Sequence, residues 1–331
     1  SSLCSLCSLC SLCSLCSLCS LDTASTSSYF IALAPQAAPS LLAQARIQQG
    51  HHQLEEALRN VELALQKEPE LLLSWHCKMS ILLEAGKREE ALKFGALGSG
   101  KFPKDRFLLD LMAAIHLEQG HYDQAKRLLE ESIRRQPESQ LAYALLAYVL
   151  NAQNKRDEAL SVIQQGLLLG PFVNLYDTLG ALRFQEGDFE AAAQAYENSV
   201  SINKGVAGSY LRWFQYAEAL IQLPTRKADA HFAFQKARDL IELRLRRSTD
   251  DPILLSISAV IEARLERVEL AHEQIRKTLD LPRLTGESYF WLALSYQILG
   301  ETEKAVAALA RSRQLNFDPR IIASYPDLKS L

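Results

Sequence analysis

Prolines at 69, 103, 137 and 171 stand 34 residues apart. Alanines at 57, 91, 125 and 159 keep the same interval, Gly86 and Gly120 share it, and Asn154 fills the next slot. With only 11 prolines in the chain, this common register marks an internal repeat. Each repeat reads as two helices. Trp75, Met79 and Leu82 stand at i, i+4 and i+7, which puts one apolar face on the segment before the glycine. The glycine or asparagine permits the left-handed residue that ends a helix. A second helix follows, as at Tyr122 to Arg135, where Ala125, Leu128, Leu129, Ser132 and Ile133 share a face. Proline then closes the repeat, because it lacks an N–H and clashes with the preceding turn. The small residue near the start of the second helix lets the two backbones approach.

The period and these positions resemble the tetratricopeptide repeat. The clearest copy is residues 175–200, with Tyr176, Leu179, Gly180, Gly187, Ala192 and Tyr196 at the family's bulky, leucine, glycine, glycine, alanine and aromatic positions. A second clear copy carries Tyr289, Leu292, Ala293, Tyr296, Gly300 and Ala305. Eight repeats are expected, at about 38–71, 72–105, 106–139, 140–172, 173–206, 207–251, 252–285 and 286–319, or about 85% of the chain. The resemblance implies an all-α fold, a right-handed α-solenoid of about eight helix-turn-helix repeats over 38–319, with 320–331 as a cap or a truncated end. Two departures stand out. The alanines at 159, 192, 230, 271 and 305 are spaced 33, 38, 41 and 34, so the array is irregular over 207–285. The sixth repeat is expected to have a long second helix from about Lys227 to Arg247. In the first repeat Gly50 falls two residues before the expected slot.

Residues 2–19 are six copies of Ser-Leu-Cys, with cysteines at 4, 7, 10, 13, 16 and 19. Zinc sites use C-x-x-C pairs, but two pairs must be brought together by a folded knuckle, and nothing here supplies one. A period of three also carries each residue type around a helix of 3.6 residues per turn. Residues 1–37 are therefore read as a disordered low-complexity tail. Serine at every third position, and no lysine or arginine before Arg46, argue against a membrane span or signal peptide. Cys77 is the one cysteine outside the ladder, which suits a reducing cytoplasmic setting and leaves the periplasm or a membrane anchor open. A net charge of −3 without a basic stripe argues against nucleic-acid binding.

The stretch GALGSGKF, residues 95–102, comes within one residue of the phosphate-binding pattern, with Phe102 where serine or threonine belongs. A phosphate loop needs a strand before it and a helix after it. Here a helix precedes and Pro103 follows, so Gly95 and Gly98 are read as close-packing residues and no nucleotide is expected. The seven histidines are scattered, and His116 and His121 straddle Gly120 rather than sharing a face as metal ligands do. The carboxylate pairs Glu89–Glu90 and Glu130–Glu131 belong to solvent faces. No nucleophile–base set or dinucleotide loop is present. Neither an enzyme nor a metal or cofactor site is expected.

The family resemblance implies a function in protein binding, as a scaffold or adaptor. In such arrays the first helices line a concave groove that holds a peptide or a partner's helix. Carried over by register, the groove positions are His76, Ser80, Asp110, Tyr148, Asn151, Asp177, Phe184, Phe290 and Gln297, a mixture of acid, amide and aromatic that suits an extended peptide. The carboxylate clamp of chaperone-binding members is missing, because Leu42, Arg46 and Cys77 stand at its lysine and asparagine positions. Tyr210, Trp213, Phe214, Tyr216, Phe232 and Phe234 crowd the sixth repeat and are read as core ahead of a ligand pocket. The final DPRIIASYPDLKSL resembles segments that follow such arrays in bacterial signalling proteins. The alternative reading is thus a sensory or regulatory region detached from a kinase or winged-helix regulator.

Overall fold

The computed structural model describes residues 34, 36–202, 210–246 and 249–331. The Ser-Leu-Cys ladder, and most of the expected disordered tail, lie outside the described residues. Among these, the chain forms 17 α-helices and no strand. They fall into two compact bodies, 34–155 and Arg156–Leu331, and the division lies inside the fourth repeat.

The first body holds α1 (Ala38–Gly50), α2 (Leu54–Lys67), α3 (Leu72–Glu84), α4 (Arg88–Lys101), α5 (Phe107–Glu118), α6 (Tyr122–Arg135) and α7 (Gln140–Ala152). The second holds α8 (Arg156–Leu168), α9 (Val173–Glu186), α10 (Phe189–Ile202), α11 (Tyr210–Ile221), α12 (Lys227–Leu245), α13 (Pro252–Arg264), α14 (Val268–Leu279), α15 (Gly286–Ile298), α16 (Thr302–Gln314) and the short α17 (Pro319–Ser324). In the first body α1, α3 and α5 each pack on the second helix of their own repeat, α2, α4 and α6, and each of these packs on the next first helix, as α2 on α3. The first helices also meet directly, α1 on α3, α3 on α5 and α5 on α7.

The repeat's small residues set these approaches. Ala57, Ala91, Ala125, Ala159, Ala192, Ala230, Ala271 and Ala305 are all fully buried. Seven residues on, Ala64, Ser132, Ser199, Thr278 and Ser312 are fully buried as well, and glycine takes that place at Gly98 and Gly166. Gly95 and Gly98 lie on α4 as expected. A methyl group on Gly98 would sit 2.6 Å from Leu108 and 2.7 Å from the Trp75 ring, so α4 reaches its neighbours only because that side chain is absent.

The turn between helices keeps its register even where glycine is missing. Gly86 has φ of 71°, and the equivalent residues His52, Asn154 and Glu266 have φ of 57°, 61° and 59°. This corrects the reading of a loose first repeat, because His52 and not Gly50 makes that left-handed turn. The sixth repeat differs: a 3-10 turn at Pro224–Arg226 joins α11 to α12, and α12 runs 19 residues, ending two residues before the expected Arg247. Phe214, Tyr216 and Phe234 fill its core, whereas Phe232 is exposed and meets Trp213 edge-on at 6.2 Å.

Candidate functional site

None of the nine positions carried over by register is fully exposed: Asp110, Phe184 and Phe290 are buried, and Asp177 is half-buried. Asp110 is fully buried; its carboxylate accepts a hydrogen bond from Ser132 Oγ at 2.6 Å and another from Arg106. Asp177 repeats the arrangement, accepting from Ser199 Oγ, and from Arg212 Nε at 2.7 Å. In both pairs the serine is the small residue of the second helix, so this register position points into its own repeat. Burial pushes both carboxyls up against the pull of their arginines, Asp110 to about 6. Phe184 and Phe290 are buried among aromatic rings.

The others are half-buried. His76 Nε2 lies 3.1 Å from Asp105 Oδ1, and Ser80 Oγ accepts from Gln49 Nε2 of α1 at 3.2 Å. Tyr148 and Asn151 lie on α7, and Gln297 on α15. Leu42 and Cys77, at the clamp positions, are buried in the core. His116 and His121 come closer than expected, with ring centroids 5.8 Å apart across the turn. No group of three or more metal-ligating side chains stands among the described residues. A cleft of about 300 Å³ lies among α8, α9 and α10, walled by Leu160, Ile163, Leu167 and Leu179 with Arg183 at its edge. Arg183 is paired with Glu186 at 2.9 Å.

The most organised polar cluster involves residues that register reasoning passed over. Arg264 of α13 donates to both oxygens of Glu218 on α11, at 2.9 and 3.0 Å. It also donates to both oxygens of Asp327, at 3.1 and 2.7 Å. Burial pushes Glu218 upward despite Arg264, and the two carboxylates hold the Arg264 guanidinium above its ordinary range against the opposing effect of burial. Beside this triad Tyr325 is buried, its ring centroid 5.2 Å from Phe184, 5.2 Å from Phe290 and 5.7 Å from Trp291. Residues 318–331 are therefore seated on the first helices of the second body. The available signal was a charged pair, Glu218 and Arg264, on first helices that are mostly apolar.

A family model described as tetratricopeptide repeat matches residues 116–182, and a second so described matches 173–205 and 286–318. The chain is a tetratricopeptide repeat protein. Such repeats typically serve as protein-interaction scaffolds without catalytic activity of their own. A chain of the Cut9–Hcn1 hetero-tetramer of the APC/C is 17% identical with a TM-score of 0.57; the match covers 88% of this chain and 52% of that one, so this protein spans about half its length. A thermophilic TPR protein of Thermus thermophilus is 18% identical over 56% of this chain and 100% of its own, with a TM-score of 0.48. Pseudomonas aeruginosa pilF is 15% identical over 68% of this chain and 96% of its own, with a TM-score of 0.45. At these identities the Cut9–Hcn1 likeness concerns the fold alone. No curated protein sequence matches the chain. No helix among the described residues of this tetratricopeptide repeat protein is long and apolar enough to cross a membrane.

Proposed function

We propose that the protein is a non-catalytic scaffold that holds a peptide or helix of a protein partner on its first-helix layers. The observation that carries this reading is residues 318–331 themselves: a non-repeat segment seated on first helices through an aromatic anchor and a charge pair. Anchors of that kind supply most of the binding free energy in peptide recognition, while polar contacts fix the register. In the first body, α1, α3, α5 and α7 offer a continuous layer of the same kind, with His76, Ser80, Tyr148 and Asn151 half-buried along it. Gln297 is the equivalent contribution from α15.

Affinity capture from the native lysate tests the proposal, comparing the parent with a Tyr148→Ala/Asn151→Ala variant of matching circular dichroism. The reading expects a protein partner held by the parent and lost by the variant. Equal retention by both would remove the first body's layer from the binding role.

A further inference from the structure

The chain after α16 does not begin another helix pair. Asp318 caps the six-residue α17 by accepting from the Arg320 backbone N–H, and α17 packs on α9. At Tyr325 the backbone becomes extended, with φ −87° and ψ 113°, and Pro326–Leu328 then packs on α15. Residues 318–331 thus reach α9 through α17 and Tyr325, α13 through the Asp327–Arg264 pair, and α15 through Tyr325 and the Pro326–Leu328 turn. The Glu218–Arg264 pair extends the contact to α11.

The chemistry of this contact differs from that of a stacked repeat. Regular repeats meet largely through small and apolar residues, with single ion pairs such as Lys78–Glu62 and Arg238–Glu262 between neighbouring helices. Here the holding elements are one tyrosine ring in an aromatic slot and, two residues later, a carboxylate on a two-sided arginine. Bidentate arginine–carboxylate pairing is directional and selects a partner by geometry. Glu218 takes the Nε–Nη2 edge of the Arg264 guanidinium and Asp327 the adjoining Nη1–Nη2 edge, so the Glu218 pair orients the edge that Asp327 meets. Asp327 itself is a quarter exposed, at the rim of the contact.

We propose that the layer α9–α11–α13–α15 is a recognition site for peptides bearing the Tyr-Pro-Asp pattern, and that residues 318–331 are its tethered occupant. A partner segment with an aromatic ring two residues before a carboxylate enters by displacing this occupant. The inference rests on the reading that first-helix layers bind protein partners, but it concerns the second body alone. A short tether presents its segment at about millimolar effective concentration, so the closed site discounts the affinity of any free peptide.

The test uses the full chain, parent and Asp327→Lys, with a fluorescein-labelled peptide of residues 318–331 as the probe, read by anisotropy. The substitution sets a cation against Arg264 and leaves the Glu218–Arg264 pair intact. Hydrogen exchange reports whether residues 318–331 are released and whether α9 to α16 stay protected. If Asp327→Lys alone does not release the segment, Tyr325→Ala/Asp327→Lys does. The expected result is at least ten-fold tighter peptide binding by the released variant than by the parent, lost again when the peptide carries Asp327→Lys. Release without a gain in peptide binding overturns the proposal. So does loss of protection across α9 to α16 on release, which would make the segment an integral cap. Either result can occur with or without capture of a partner through Tyr148, so the two readings fail separately.

Discussion

Two glycines on one helix, Gly98 and Gly100, should respond to alanine with opposite signs. Alanine is favoured over glycine in a helix interior by about 1 kcal/mol. At Gly100 no atom lies within 4 Å of the added methyl, so the gain is kept, reduced to about 0.5 kcal/mol by the position in the last turn of α4. At Gly98 the methyl meets Leu108 Cδ1 at 2.6 Å and Trp75 Cε3 at 2.7 Å. Leu108 has a flexible end, but Trp75 is held on two sides, stacked on Phe94 at 4.5 Å and donating from Nε1 to the Pro69 carbonyl at 2.9 Å. Overpacking against such neighbours costs about 2–3 kcal/mol, so Gly98→Ala should lose about 1–2 kcal/mol net. The two variants should then differ by about 2 kcal/mol. Urea unfolding by circular dichroism reads the difference, with hydrogen exchange over residues 72–118 placing it, since repeat arrays need not unfold as one unit. A Gly98→Ala protein as stable as Gly100→Ala would refute the packing role assigned to α4.

Three further outcomes are expected. The Asp110 carboxyl, at about 6 when folded against an ordinary 3.8, binds more protons folded than unfolded between those values. Its contribution to stability should therefore fall by about 2 kcal/mol as pH rises from 4 to 7. Asp110→Asn should flatten the unfolding free energy over that range, and parallel profiles for variant and parent would contradict this. Glu266→Gly removes a side chain from a left-handed residue and should raise thermal stability by about 1 kcal/mol; a lowered melting temperature would count against it. Arg264→Met leaves Glu218 buried without its partner and should cost about 3–5 kcal/mol in chemical denaturation, while a neutral effect would argue against the triad's role.

The helical skeleton was legible because the repeat imposes one local pattern many times. The eight alanines foretold eight buried contacts, and Pro69, Pro103 and Pro137 stand just beyond α2, α4 and α6. The turn at His52 was harder to see, since a histidine gives no left-handed signal of its own; only the register, 34 residues before Gly86, points to it. Asp110 and Asp177 were read as groove positions, and their hydrogen bonds to serines of the second helix were not foreseen. Each has a serine 22 residues later on the second helix, and that paired spacing was the available clue. The seating of Tyr325 and Asp327 was hidden for a different reason. Its charge pair joins residues 63 positions apart, and no local periodicity encodes it.

The most direct test of the scaffold reading is site-specific photocrosslinking in native lysate. A benzoylphenylalanine replaces Tyr148 on α7 in one protein and the exposed Arg134 on α6 in another. The account predicts a covalent adduct to a protein partner from position 148 and none from position 134. An adduct from 134 with none from 148 would contradict it, and would place partner recognition on the second helices.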